Sequence, residues 1–107
     1  MMLSIIKIMP ILDKRKEVLD ILFSVKGPSL AASECLECCI CEERGDEESI
    51  IYIEKWQSVE AFYRHIRSNL YSRILGAMEL SRKRPEVYFL KIEEVKGMEL
   101  INELRKA

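Results

Sequence analysis

The chain has 107 residues, a formal net charge of −1, 49% apolar residues and 33% charged ones. That length supplies one hydrophobic core and not two, and the even balance of Lys and Arg against Asp and Glu leaves no basic face for nucleic acid. No apolar run approaches the roughly 18 residues of a membrane span and the first ten residues lack the pattern of a secretion signal, so a cytoplasmic single domain over residues 1–107 is expected.

Residues 2–9 carry Met2, Ile6 and Ile8 against Leu3, Ile5 and Met9, which predicts a strand covered on both sides and ended by Pro10. Asp13 is read as the N-cap of a helix whose stripe is Val18, Leu22 and Val25, widened by Leu19 and Ile21. Gly27-Pro28 is read as its break or kink, with a short further turn through Ala32. Residues 35–43 read as a second strand, with Leu36, Cys38 and Ile40 on one face and Cys35, Glu37, Cys39 and Cys41 on the other. Arg44-Gly45-Asp46-Glu47 is a hairpin-type connection into a third strand over 49–56.

Ser58 then caps a helix with Glu60 in its first turn. Val59, Phe62 and Ile66 form its predicted stripe, with His65 at the margin. Ser68-Asn69 restarts or bends it, and Leu70, Ile74, Ala77 and Met78 continue an apolar face up to Arg82-Lys83-Arg84-Pro85, where proline forbids continuation. Residues 86–95 read as a fourth strand. Gly97 opens a C-terminal tail, 97–107, in which Met98, Ile101 and Leu104 space as a short final helix.

The order β-α-β-β-α-β predicts an α+β, ferredoxin-like sandwich with helices on one sheet face. Apolar residues on both strand faces need a second cover, and the chain has no further helical layer to give. A homodimer packed sheet against sheet supplies it.

In this order and spacing the residues resemble the antibiotic biosynthesis monooxygenase family of dimeric α/β barrels. The resemblance rests on Gly27-Pro28-Ser29 leading to Cys35-Leu36, Tyr52-Ile53-Glu54-Lys55-Trp56-Gln57-Ser58, Ala61-Phe62 with His65, Ser68, and Pro85-Glu86-Val87. It implies a homodimer with a pocket between sheet and helices, no cofactor, and oxidation of a small aromatic or quinol-type molecule by O₂, the substrate supplying the electrons. Trp56 matches the family's pocket-edge Trp and His65 a helix His. Tyr52 stands where members that oxidise aromatic polyketides keep Asn, Phe62 where they keep Tyr, and Leu30 where an arginine is often found.

For the residues themselves, Trp56 offers either a stacking wall for an aromatic substrate or an anchor for the strand-to-helix corner. His65 is the candidate catalytic base, since imidazole ordinarily titrates near neutrality, or else a packed residue. Tyr52 shares a strand face with Glu54 and Trp56, and Phe62 approaches the same side, so Tyr52, Trp56 and Phe62 are the expected substrate-binding residues. Cys35, Cys38, Cys39 and Cys41 offer four soft ligands, but an extended strand turns Cys38 away from the others, and no metal site is expected. The alternative to the enzyme is a non-catalytic homodimeric module that binds a small apolar ligand or serves assembly only.

Overall fold

The computed structural model describes residues 1–45 and 48–106. Its elements are β1 (Met2–Ile8), α1 (Arg15–Ala31), β2 (Cys35–Glu42), β3 (Ile50–Trp56), α2 (Val59–Arg67), α3 (Tyr71–Glu79), β4 (Glu86–Lys91) and α4 (Met98–Leu104). The strands form an antiparallel sheet in the order β2-β3-β1-β4, and the fold is α+β and ferredoxin-like.

Strand period decides what each face holds. Met2, Ser4, Ile6 and Ile8 of β1 and Ile50, Tyr52, Glu54 and Trp56 of β3 are buried, while Leu3, Ile5, Ile51 and Ile53 between them stay partly exposed. The buried set meets Val18, Leu22 and Val25 of α1, Phe62 of α2 and Ile74 and Ala77 of α3. Every helix side chain in that list repeats at three or four residues, the spacing of one helical face. No described element covers the opposite sheet face, where Tyr88 and Leu90 of β4 are also exposed.

Several local expectations are corrected. Asp13 does not cap α1: it sits at φ 69, a left-handed turn that Asp tolerates, and Lys14 takes the cap position without a side-chain bond. Gly27-Pro28 does not break α1, which runs on to Ala31. Pro28 has no N–H for the Ser24 carbonyl, and Arg73 Nη1 of α3 donates to that carbonyl instead at 3.4 Å. Both Ser24 and Pro28 lie on the exposed side of the helix. Strand β4 stops at Lys91 rather than running to residue 95.

In β2 the register shifts between Cys35 and Glu37, so a bulge returns Cys35 to the same buried face as Cys38. The expected opposition of Cys35 and Cys38 therefore fails, while Cys39 and Cys41 face outward beside Ile53 and Ile51. Of the hairpin expected over 44–47, Arg44 and Gly45 form a turn with Gly45 at φ 92. Asp46 and Glu47 lie outside the described residues.

Ser58 caps α2 as expected, its Oγ accepting from Ala61 N at 3.1 Å. The buried side of α2 is Ala61, Phe62 and His65, whereas Val59 and Ile66 are only partly covered. His65 thus moves from the margin of the stripe to its centre. The C-terminal residues contribute little to this core: α4 has no buried residue, and the radius of gyration is 15.7 Å where a compact chain of this length has about 13 Å. No described helix is long and apolar enough to cross a membrane.

Candidate functional site

The site begins with the alternation of β3. Tyr52, Glu54 and Trp56 share its inward face, so a carboxylate is carried into the core between two aromatic side chains. Glu54 is fully buried, a position that a charged group occupies only when its oxygens are bonded. Three donors meet it. Tyr52 donates its hydroxyl to Oε2 at 2.5 Å, Trp56 donates Nε1–H to Oε1 at 3.1 Å, and His65 Nε2 lies 3.0 Å from Oε2. Behind Tyr52, the Cys38 thiol donates to the phenol oxygen at 3.2 Å.

Two local features bring His65 to this carboxylate. The backbone N–H of Gln57 donates to the Glu34 carbonyl at 2.8 Å, which fixes the corner after Trp56, and Ser58 starts α2 directly after it. One turn and a half of helix then lays the His65 ring over Trp56, with centroids 4.6 Å apart and planes tilted by 30°. Tyr71 of α3 meets the other side of His65 edge-on at 5.3 Å. The imidazole is held by one ring face, one ring edge and one hydrogen bond.

The charge on Glu54 is felt by its neighbours. Burial first, then the nearby carboxylate, pushes the Tyr71 phenol up to about 12, and the same two causes raise Tyr52 further still. Burial likewise raises the Cys35 and Cys38 thiols to about 11. These groups stay protonated at neutral pH, so Tyr52 and Cys38 remain donors. In the neutral imidazole an Nε2–H donated to this carboxylate places the lone pair on Nδ1. Nδ1 has no hydrogen-bond partner among the described residues.

His65 and Trp56 wall a cleft of about 210 Å³ together with Ser29 and Pro28 from the end of α1. Arg64, also in its wall, donates from Nη2 to both carboxylate oxygens of Glu34, at 2.8 and 3.0 Å. Of the expected site residues, the fold brings Trp56 and His65 to this cleft. Tyr52 and Phe62 are fully buried and do not reach it: Tyr52 holds Glu54 from behind, and Phe62 packs edge-on against Phe89 at 5.2 Å. A larger cleft of about 630 Å³ around Pro10, Leu12 and Arg82 is remote from this network. Among the described residues no group of three or more His, Cys, Asp and Glu side chains is placed to hold a metal ion.

Sequence reasoning passed over Glu54 as a functional residue, although its position between Tyr52 and Trp56 on an inward face was a usable signal. It also passed over Ser29, for which the broken helix expected at Gly27-Pro28 left no place in a wall.

The model of the family described as "Antibiotic biosynthesis monooxygenase" matches residues 1–76, which hold Cys38, Tyr52, Glu54, Trp56, His65 and Tyr71. The chain belongs to the antibiotic biosynthesis monooxygenase family. Among solved structures, a conserved protein from Methanosarcina mazei Go1 is 19% identical with a TM-score of 0.79, covering 86% of this chain and 92% of its own. Rv0793 from Mycobacterium tuberculosis is 22% identical with a TM-score of 0.80, covering 90% of this chain and 98% of its own. PA3566 from Pseudomonas aeruginosa is 20% identical with a TM-score of 0.73, over 87% and 94%. At these identities the likeness carries the antibiotic biosynthesis monooxygenase fold. No curated protein matches the chain.

Proposed function

We propose that this member of the family is a cofactor-independent monooxygenase that oxidises a small aromatic or quinol-type molecule with O₂, with His65 as the base. The observation that carries this reading is the pairing of His65, a residue of the cleft wall, with a buried carboxylate: its Nε2 lies 3.0 Å from Glu54 Oε2. A base must be oriented before it can take a proton in flight, and Glu54 does that while offsetting the positive charge the imidazole acquires.

In this mechanism Nδ1 removes a hydroxyl proton from the bound ring, and the resulting anion is electron-rich enough to reduce O₂. With a hydroquinol the balance closes as hydroquinol plus O₂ giving a hydroxyquinone and water, so one oxygen atom enters the ring and the other leaves as water. Trp56 supplies the flat surface on which the ring rests. Tyr52 and Phe62, expected as direct contacts, support the site from within the core instead.

The working unit in this proposal is a homodimer formed through the outer sheet face. Leu3, Ile5, Ile51 and Ile53 lie there side by side without a covering layer. Oxygen uptake with menadiol and single-ring hydroquinols, compared between the native chain and His65→Ala, tests the reaction. Uptake that the variant lacks supports it; quinol binding without uptake leaves a non-catalytic ligand-binding module.

A further inference from the structure

Helix α4 has seven residues, none of them buried. Helices shorter than about 12–15 residues are marginal in water on their own, and in proteins most owe their stability to an apolar face packed against something else. Such a face is present. Met98, Ile101 and Leu104 repeat at three residues and are 51–75% exposed, while Glu103 turns to the opposite side of the helix. The chain itself does not supply the packing that this face calls for.

The segment that carries α4 starts from the uncovered side of the sheet. In the β1–β4 register Leu3 pairs with Leu90 and Ile5 with Tyr88, so the outward residues of β4 extend the outward patch of β1. The chain then leaves the sheet after Lys91 and passes through the exposed Val95 into α4, which keeps the run of uncovered apolar side chains continuous. Residues 92–97 join the two elements and can span about 20 Å when extended. Extent points the same way. Each strand turns about three residues outward, about a dozen in all, whereas a stable protein–protein interface takes roughly 20–30 residues a side. The sheet face falls short of that, and residues 92–106 make up the difference.

Resting on the homodimer proposed above, we infer that residues 92–106 form an arm that each copy lays against the other, with Met98, Ile101 and Leu104 packed on the second copy. The outward sheet residues and the arm are then one self-complementary surface, and every contact occurs twice about the two-fold axis. Dimerisation and the order of α4 become a single event.

The test is the dimer Kd, measured by analytical ultracentrifugation on the full native chain, on the double variant Ile101→Glu with Leu104→Glu, and on Ile101→Lys. Both side chains are exposed in the single chain, so the variants should fold, and their dilute monomers should melt with the native monomer. The double variant is expected to raise Kd about 100-fold, because two buried apolar side chains are lost from each arm. Ile101→Lys should move Kd the same way, since a charge of either sign opposes burial. In the native chain the α4 amides should exchange slowly well above Kd and fast well below it. An unchanged Kd in the variants would overturn the inference. So would slow α4 exchange at every concentration, which would place the helix on its own chain. The two readings fail separately: a dimer that Ile51→Lys dissociates and the α4 variants leave intact keeps the sheet-face homodimer and removes the arm. The opposite pattern keeps the arm and removes the sheet face.

Discussion

Glu54 and His65, eleven residues apart in sequence, meet at 3.0 Å with their side chains almost wholly withdrawn from solvent. A strand end and the second turn of the following helix are enough to make the contact, so the pair is a local product of residues 54–65. Its strength comes from elsewhere, because Tyr52 and Trp56 complete the carboxylate's bonding and allow it to remain inside.

Replacing Glu54 by Gln keeps the shape and removes the charge. The new amide sets two hydrogens among three donors, so at least one buried donor loses its acceptor. A destabilisation of about 1–3 kcal/mol in urea unfolding is expected. The Nε2 tautomer of His65 also loses its anchor, and if the chain turns over, kcat should fall by about 10²-fold. Unchanged stability would mean that the carboxylate is not bonded as described.

His65→Ala and Trp56→Ala are expected to separate kinetically. Loss of the base should lower kcat by on the order of 10²-fold, since only the transition state needs the proton moved. Loss of the indole should act mainly on KM, because a stacked ring is held in ground and transition states alike. Steady-state oxygen uptake across a substrate series distinguishes the two.

Ile51 and its neighbour Ile50 make an internal control for the homodimer. Ile51 faces outward and Ile50 is fully buried against the helices. Ile51→Lys should give a folded chain that light scattering sizes near 12.5 kDa, with lowered stability at low concentration. Ile50→Lys should instead unfold the chain by placing an unpaired charge in the core. A native chain that already scatters as a monomer removes this prediction.

Stability should fall in alkaline solution. The Cys35 and Cys38 thiols are raised from 9.0 to about 11 and the Tyr71 phenol from 10.0 to about 12, in each case chiefly by burial. Above the unfolded values the unfolded chain gives up these protons while the folded chain keeps them. Stability present below about pH 9 is therefore lost as pH rises toward the folded values. Urea melts between about pH 8 and about pH 11 should show the decline, shallower in Cys38→Ala because one thiol no longer contributes.

The sequence was legible where period and burial coincide. The two-residue period of β3 and the Ser58 cap each reflect a single local rule. The stop expected at Pro85 comes early, because α3 ends at Glu79. The sequence misled where a tertiary contact overrode the local rule. Pro28 reads as a helix break until Arg73, distant in sequence, is seen to supply a donor to Ser24, and the Cys35 bulge depends on pairing with Trp56. The site divides the same way: Trp56 and His65 were readable as types on a helix and a strand end. The demotion of Tyr52 to a supporting role needed the knowledge that Glu54 stands between it and the cleft.

The strand order also sets a timetable for synthesis. Strand β1 is made first yet takes an inner place, its two neighbours being Ile50–Trp56 and Glu86–Lys91. At roughly 5–20 residues per second, this apolar segment leaves the ribosome seconds before its first partner strand exists. During that interval α1 can meet its inner face, but neither of its edges has a strand to pair with. The hydrogen bonding of Met2–Ile8 thus waits on the emergence of β3, the strand that carries Glu54 and Trp56.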